Sequence, residues 1–257
     1  MPNLLEGKTA LILGVANKWS LAYAIAQAFR REGARLMLTY QNERLKATVE
    51  ELGTELGAAK VFCCDVSNDD DLARLTETIK AEGRLDALVH SIAFASREDL
   101  ERPFLEVSRS GYLLAQEVSS YSLVAVARAV APLMSAGGSI LTLTYLGSTR
   151  VVQNYNVMGV AKAALETSVL YLASELGPQN IRVNAISAGA VKTAAARGVK
   201  GITKMLETVP QYSPLRRRTD PAEVADAAVF LSSDLGRGVT GSVLFVDAGF
   251  HIMGFAQ

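Results

Sequence analysis

The sequence predicts a doubly wound α/β fold in which helices cover both faces of a sheet of seven mostly parallel strands. Short apolar runs alternate with longer helical patterns along the whole chain, as in a parallel sheet with crossover helices. Most apolar runs are rich in Val, Ile and Leu without clean alternation, which is typical of strands buried on both faces. No linker, repeat or low-complexity tract divides residues 1–257, so we expect a single domain.

Seven apolar runs are strand candidates. In chain order they are KTALILGV, RLMLTY, KVFCCDV, LDALVHSIAF, SILTLTYLG, IRVNAISAG and SVLFVDAG. Six longer segments show a helical pattern. They are SLAYAIAQAFRREG, NERLKATVEELGTELG, DDLARLTETIKAEG, EVSSYSLVAVARAVAPLM, NVMGVAKAALETSVLYLASELG and DPAEVADAAVFLSSDLG. Every strand except the last is followed by a helical pattern before the next strand, which is the order that parallel crossovers require.

The stretch from about Ala188 to Arg218 fits this alternation less well. It contains small residues, scattered charges, Pro210 and Pro214, and only a short helical pattern near ITKMLETV. Insertions after the carboxyl end of a sheet strand are where such folds carry substrate loops. We therefore expect a mobile substrate-binding flap at about 188–218.

Composition excludes several classes of protein. The net charge is zero, so the chain lacks the basic surface of a nucleic-acid-binding protein. No window approaches 18 consecutive uncharged apolar residues, so we expect no membrane-spanning segment. Cys63 and Cys64 are adjacent and indicate a buried strand rather than a disulfide, and His90 and His251 lack metal-site spacing. We expect a cytoplasmic protein without a metal site.

The end of the first strand is a candidate phosphate site. Gly14 stands where the strand turns, and Ser20 follows at a helix start, but the GxGxxG fingerprint is absent. Backbone N–H groups and the dipole at that helix start suit a pyrophosphate, although a plain strand–loop–helix connection looks similar. At the end of the third strand, Asp65 can accept from an adenine amino group while Val66 packs against the ring. Asp65 is also an ordinary turn or N-cap residue.

The ends of the second and fourth strands also bear on cofactor choice. The small residues of HSIAFA let the backbone approach a ribose and a nicotinamide. In TYQNERLK the neutral Gln41 follows the second strand, whereas Arg44 and Lys46 come later. No acid is placed for a ribose 2′-hydroxyl, and no Arg follows the strand at once to bind a 2′-phosphate. The sequence favours NADH and leaves NADPH open.

The candidate catalytic residues are Tyr145, Tyr155 and Lys162. Seven residues of helix turn the chain by about 700°, so Tyr155 and Lys162 lie on one face, two turns apart. A nearby ammonium favours the phenolate and makes a tyrosine a stronger acid, suited to an oxygen that gains charge during hydride transfer. Tyr145 ends the fifth strand, and strand ends converge with the following helix on one crevice. Coincidence on a helix surface is the alternative, which this position in the fold disfavours.

These features resemble the short-chain dehydrogenase/reductase superfamily and, within it, the bacterial enoyl-acyl-carrier-protein reductases. The resemblance runs from about Leu5 to Gly254 and rests on Tyr-x9-Tyr-x6-Lys combined with Gly-x5-Ser, together with GVANKWSLAYAIA, HSIAFA and RVNAISAG. It implies a Rossmann-like domain and a homotetramer that reduces the trans-2 double bond of enoyl thioesters on acyl carrier protein. Ketone reductases of the superfamily carry a serine on the fifth strand, where this chain has Thr142 and Thr144.

The resemblance also implies roles for particular residues. Tyr155 would hydrogen-bond the thioester carbonyl, Lys162 would bind the nicotinamide ribose, and Tyr145 would deliver a proton or position substrate. Ala95 would contact the acyl chain. The remaining cofactor contacts would be Gly14, Ser20, Leu21, Gln41, Asp65, Val66, Ile92, Val191, Lys192, Thr193, Ala194 and Ala195.

Other features leave alternatives open. Gln153 and Ala190 stand where the family commonly has a proline, which would loosen two loops. Arg197, Lys200 and Lys204 form a basic cluster that suits an acidic carrier protein but equally suits a solvated helix face. The run RRR at 216–218 is equally ambiguous, because a run of only three arginines can also simply anchor a loop. The rival functions are a carbonyl reductase of the same superfamily, a non-catalytic dinucleotide sensor and a purely structural assembly protein.

Overall fold

The computed structural model describes residues 3–191 and 202–254 and confirms the predicted fold class. One sheet contains seven strands in the order β3-β2-β1-β4-β5-β6-β7, and every neighbouring pair is parallel. The strands are β1 (Thr9–Leu13), β2 (Arg35–Tyr40), β3 (Lys60–Cys63), β4 (Ala87–His90), β5 (Gly138–Thr144), β6 (Ile181–Ala188) and β7 (Val243–Val246). The strand order reverses between β1 and β4, so a crevice opens there at the carboxyl ends.

The helices in the described ranges are as follows. They are α1 (Leu21–Arg31), α2 (Glu43–Leu56), α3 (Asp69–Glu82), α4 (Arg97–Glu101), α5 (Arg109–Gln116), α6 (Ser122–Val130), α7 (Asn156–Leu176), α8 (Ile202–Tyr212) and α9 (Pro221–Ser232). Local sequence explains where several begin. Ser20, Asn68 and Ser108 cap α1, α3 and α5 through their side-chain oxygens, and Asp220 forms a capping box with Glu223 before α9.

Two apolar cores lie on opposite faces of the sheet. Residues of α1, α2 and α9 pack on one face around Phe29 and Ile25, and residues of α3, α6 and α7 pack on the other around Leu75 and Leu165. The strands contribute to both cores, as their unbroken apolar runs predict: Leu11 packs in one core and Ile12 in the other. The sheet therefore has no solvent face at its centre, and ligands reach it only at the strand ends.

The segment between β4 and β5 differs from the sequence prediction. Two short helices, α4 and α5, were not predicted, because five and eight residues are too few for a clear helical period. The apolar pattern starting at Glu117 begins with a π-helical turn, Glu117–Tyr121, before α6. This turn buries Ser119, whose hydroxyl donates to Phe94 O and accepts from Phe94 N, each at 2.9 Å. The turn thereby fixes the loop that follows β4.

Helix α7 is the one helix in the described ranges that is long and apolar enough to cross a membrane by composition alone. It packs along β6 and buries Val157, Leu165 and Val169 inside the protein. A buried core helix passes the same composition test, so its apolar character is explained by the fold.

A buried histidine joins three elements beneath the crevice. His90, at the end of β4, is fully buried, with Nδ1 3.1 Å from Thr142 Oγ1 on β5 and Nε2 2.9 Å from Ser122 Oγ on α6. Ser122 donates its own hydrogen to Val118 O at 2.7 Å, so it accepts from Nε2–H. Burial, with the Lys162 charge adding to it, lowers the pKa of His90 to about 3. His90 is therefore neutral in the folded protein.

Because His90 is neutral in the folded protein, the free energy of unfolding depends on pH. The unfolded histidine binds a proton near pH 6.5 and the folded one only near pH 3, so stability falls as the pH drops through that window, by about 1.4 kcal/mol per pH unit. We expect His90→Asn to be less stable at pH 7, because it loses one buried hydrogen bond, yet to lose stability less steeply between pH 6 and pH 4. Urea unfolding across that range measures both. Equal slopes in the two proteins would contradict the assignment.

Candidate active site

The crevice between β1 and β4 brings together the predicted phosphate-site residues. Gly14 has a φ of +95°, and a Cβ there would lie 2.0 Å from Ser91 O, so only glycine lets the two strand ends meet this closely. Ser20 accepts from Tyr23 N at 3.2 Å and caps α1, whose first turn, from Leu21, contains no acidic residue. The helix dipole is therefore not neutralised at this end, which suits a bound anion.

The predicted adenine-site residues also lie together. Gln41, after β2, donates from Nε2 to Asp65 Oδ2 at 3.0 Å, and Ser67 donates to the other carboxylate oxygen. Burial raises the pKa of Asp65, but these hydrogen bonds outweigh it and hold the pKa below its usual range. Val66 is buried next to them, while Ile92 packs on the α6–α7 side of the sheet. Asp65 is thus a charged acceptor at the crevice.

The two predicted tyrosines form a pair. Tyr145 follows β5, Tyr155 precedes α7, and their ring centroids lie 5.1 Å apart at an interplanar angle of 66°. The turn after β5 admits the Tyr155 ring because of Gly147, where a Cβ would lie 2.4 Å from Tyr155 Cδ1. Asn154 and Asn156, on either side of Tyr155, have φ values of 60° and 28°. This left-handed backbone costs energy in a residue with a side chain, and here it aims the phenol.

The acidity of Tyr155 is opposite to the sequence expectation. Burial raises its pKa far above the usual value near 10, and the nearby Tyr145 and Glu166 raise it further. Burial raises the pKa of Tyr145 to about 12, with Asp247 adding to the effect. Neither phenol has a lowered pKa, although Lys162 lies two helical turns after Tyr155. Tyr155 is therefore a neutral phenol, which can donate a hydrogen bond.

Lys162, two helical turns after Tyr155 on α7, is buried and only 5% exposed. Its Nζ donates to Leu143 O, near the end of β5, at 2.8 Å. Burial lowers the pKa of Lys162 to about 8, although the Glu166 charge opposes that shift. The lysine therefore ties α7 to β5 and places a buried positive charge near the carboxyl end of β5.

The acyl-contact candidate, Ala95, lies on the same side as Tyr155. Both pack against a small apolar cluster built from Leu100 on α4 and Met158 on α7, among others. Asn156 holds this wall to α7, because its Nδ2 donates to Leu100 O at 3.1 Å and to Arg102 O at 2.5 Å. The structure thus brings an apolar surface next to the phenol.

The predicted flap is described only in part. Val191 is the last residue before the gap, and Lys192, Thr193, Ala194, Ala195, Arg197 and Lys200 lie outside the described residues, as does the Lys204 side chain. The predicted short helix is confirmed as α8. Leu206 and Val209 on α8 pack against Ala190 and Phe250. Ala190, which stands where the family commonly has a proline, is thereby buried under α8. Gln153, at the other such position, is exposed in a turn.

The RRR run anchors the end of this region. Arg218 Nε donates to Leu206 O at 2.9 Å, Arg217 pairs with Glu223 and Arg216 donates to Gln211 O. All three guanidinium groups are engaged within the chain. The structure therefore favours the loop-anchor interpretation of 216–218 over a docking surface.

Sequence reasoning missed Asp247. It follows β7 and lines a narrow cleft with Tyr145, Gly189 and Phe250. Its carboxylate accepts from Gly249 N, from His251 N and from His251 Nδ1 at 2.9 Å. An acid after the last strand, in FVDAG, was the available signal, because the carboxyl ends of all the parallel strands lie along one edge of the sheet.

The residues present fit a nicotinamide dinucleotide. Four features lie along the carboxyl edge of the sheet. They are the start of α1 without an acidic residue, the close approach of two strand ends at Gly14, the hydrogen-bonded pair of Asp65 and Gln41, and the buried ammonium of Lys162. Within the described ranges no cluster of His, Cys, Asp and Glu side chains suits a metal ion. Fold and site together define a dinucleotide-binding α/β oxidoreductase of the short-chain dehydrogenase/reductase type.

Comparison with known proteins narrows this class. The family model described as "Enoyl-(Acyl carrier protein) reductase" matches residues 14–251, and the chain belongs to that family. The chain is 53% identical to the NADH-dependent enoyl-[acyl-carrier-protein] reductase FabI of Bacillus cereus, over 98% of this chain and 99% of that protein. It is 49% identical to the NADPH-dependent FabI of Staphylococcus aureus MRSA252, over 96% of this chain and 98% of that protein.

A solved structure agrees with the sequence comparison. The Bacillus cereus reductase with NADP⁺ and indole naphthyridinone superposes with a TM-score of 0.97 at 52% identity, covering 99% of this chain and all of that one. The predicted family resemblance is thereby confirmed.

The buried ammonium has a measurable cost. Because the pKa of Lys162 falls from 10.5 to about 8 on folding, the cost is complete below pH 8 and disappears as the pH rises towards 10.5; it is on the order of 3 kcal/mol. We expect Lys162→Met to be more stable than the wild type at pH 7, by about 1–3 kcal/mol, and to lose this advantage near pH 10.5. Chemical unfolding at both pH values tests this, with the exposed Lys60→Met as control. A destabilised variant at pH 7 would contradict it.

Proposed function

We propose that this protein is an enoyl-acyl-carrier-protein reductase that reduces the trans-2 double bond of enoyl thioesters with NADH. The observation that carries the proposal is the Tyr145–Tyr155 pair at the junction of β5 and α7, where Lys162 is buried and an apolar wall lies next to Tyr155, in a chain of this family. A bound NADH supplies the hydride that adds to the β-carbon of the substrate. Negative charge then develops on the thioester carbonyl oxygen, which the protein must stabilise.

Tyr155 is the residue that we assign to this oxygen. Its raised pKa keeps the phenol protonated, so it donates a hydrogen bond to the forming enolate throughout the neutral range. Its rigid support by Gly147 and the two left-handed asparagines fixes the donor before substrate binds. The donor therefore needs little reorganisation when charge appears, which is how an oxyanion hole lowers a barrier.

The other site residues take supporting roles. Lys162 holds the nicotinamide ribose and adds positive charge below the phenol. Tyr145, edge-on to Tyr155 at 5.1 Å, orients that ring or the substrate. Gly14, Ser20, Leu21, Gln41, Asp65, Val66, Ile92 and Val191 contact the cofactor, together with the run from Lys192 to Ala195. Ala95 contacts the acyl chain.

The neutral Gln41 supports NADH as the cofactor. Its amide is directed at Asp65 rather than at a phosphate, and the carboxylate beside it repels a 2′-phosphate. Relatives named for NADH and for NADPH both exist at similar identity, so these identities do not choose between the two cofactors. The neutral Gln41 and the Asp65 carboxylate are what make NADPH the weaker candidate. Three further features complete the proposal. The substrate is carried by acyl carrier protein, and the region 188–218 closes over the substrate as a flap. The enzyme works in the cytoplasm as one catalytic domain.

The activity is tested by the loss of absorbance at 340 nm with a crotonyl thioester and either cofactor. We expect turnover with NADH, at least 10²-fold slower in Tyr155→Phe, because removal of one oxyanion donor costs about 10²–10³ in kcat. Gln153→Pro, in the exposed turn before Tyr155, is the control that leaves the chemical groups in place. Consumption of an acetoacetyl thioester alone would favour the carbonyl reductase, and cofactor binding without any turnover would favour the sensor.

A homotetramer is the assembly that we propose. Helix α5, the π turn and helix α7 pack against one another and leave large apolar side chains exposed, among them Leu113, Tyr121 and Tyr171, which are 60%, 50% and 74% exposed. Large exposed apolar side chains on neighbouring elements are typical of a subunit interface.

Light scattering after size exclusion tests the assembly. We expect a mass of about 110 kDa, four times the 27.4 kDa of the chain. Leu113→Glu with Tyr171→Glu introduces charges into the apolar surface and should yield smaller species, because unpaired charges are costly to bury. The charge reversal Glu51→Arg, on α2 at the opposite face, is the control. A tetramer that survives the double substitution would place the interface elsewhere.

A further inference from the structure

Helix α7 contains a second charged residue whose side chain reaches the end of β5. Glu166 is one helical turn after Lys162, so the two side chains lie on the same face. Its Oε1 accepts from Thr144 Oγ1 at 2.6 Å, and Lys162 Nζ donates to the carbonyl of the preceding residue, Leu143, at 2.8 Å. Consecutive turns of α7 therefore bind consecutive residues of β5.

The surroundings of Lys162 make this carboxylate important. Lys162 is 5% exposed, and the one hydrogen bond of its ammonium in the described ranges goes to a neutral carbonyl, without an ion pair. A buried charge without a compensating charge tends to lose its proton. The influences on the pKa of Lys162 are burial, which lowers it, and Glu166, which raises it.

Other titratable groups do not supply this compensation. His90 on β4 is neutral, and Tyr145 and Tyr155 are protonated phenols with raised pKa values. Asp247, after β7, raises the pKa of Tyr145 and is paired with His251. Lys162 forms no ion pair with a described charged residue on the other elements packed against α7, which include Asp99 on α4, Glu117 in the π turn, Arg128 on α6 and Arg182 on β6.

We propose that Glu166, fixed by Thr144, is a positioning residue that keeps Lys162 a charged ammonium during the reaction. The inference rests on the proposed function, since the charge serves the oxyanion that Tyr155 stabilises. Thr144 prevents the half-buried carboxylate from turning to solvent, and the helix fixes its distance from Lys162. A residue that touches neither substrate nor cofactor thereby sets the highest pH at which the site works.

The first test measures the charge itself. We would titrate the ligand-free protein labelled with [ε-¹³C]lysine by NMR, with the Lys162 signal assigned by its absence in Lys162→Met. Glu166→Gln keeps an acceptor for Thr144 but removes the charge, so the Lys162 titration should move about one pH unit lower. Thr144→Val should give a smaller shift of the same sign. Glu175→Gln, exposed on the same helix, should give none.

The second test measures the consequence for turnover. The alkaline limb of kcat/KM for a crotonyl thioester should move lower by the same amount in Glu166→Gln, giving about a fivefold loss at pH 8 and less than twofold at pH 6. An unchanged Lys162 titration in Glu166→Gln would overturn the proposal. A Lys162 titration that moves while the alkaline limb of kcat/KM stays in place would also overturn it. If the wild type reduces no enoyl thioester, the proposed function fails, while the NMR titration still decides whether Glu166 holds the charge.

Discussion

The hydrogen bond from Lys162 to the Leu143 carbonyl is the interaction on which the site depends. It joins α7, which begins directly after Tyr155, to β5, which ends directly before Tyr145, and so ties together the two elements that flank the phenols. Its donor is a charge removed from water, which stabilises the fold poorly. The protein therefore accepts a cost in stability to place one cation where the proposed reaction develops an anion.

Other strained features are concentrated at the same place. Asn154 and Asn156 adopt left-handed backbone on both sides of Tyr155, and Gly147 admits its ring where any side chain would collide. Asn156 then uses its amide to hold the wall that contains Leu100. Each feature is unfavourable or restrictive by itself. Together they hold the phenol in one position, which favours electrostatic stabilisation by a preorganised donor.

The fold and the location of the site were predictable from sequence, because strand order and strand ends follow from hydrophobic pattern and chain direction. The hydrophobic pattern could not reveal the π turn at Glu117, because a π turn inserts one residue into the helix without changing the apolar character of the stretch. It also could not reveal the contact between Gln41 and Asp65, which follow different strands. Glu166 was visible as a residue one turn after Lys162, but its importance depends on how deeply the lysine is buried.

The acidity of Tyr155 shows why burial must be known before chemistry is assigned. The sequence places a cation two turns away, and in water that neighbour would favour the phenolate. In the folded chain the ammonium is directed at Leu143, and the desolvated phenol retains its proton. A phenol of this kind is suited to donate a hydrogen bond to an enolate rather than to transfer its proton fully. The same burial that suppresses its acidity strengthens that hydrogen bond, because the surrounding dielectric is low.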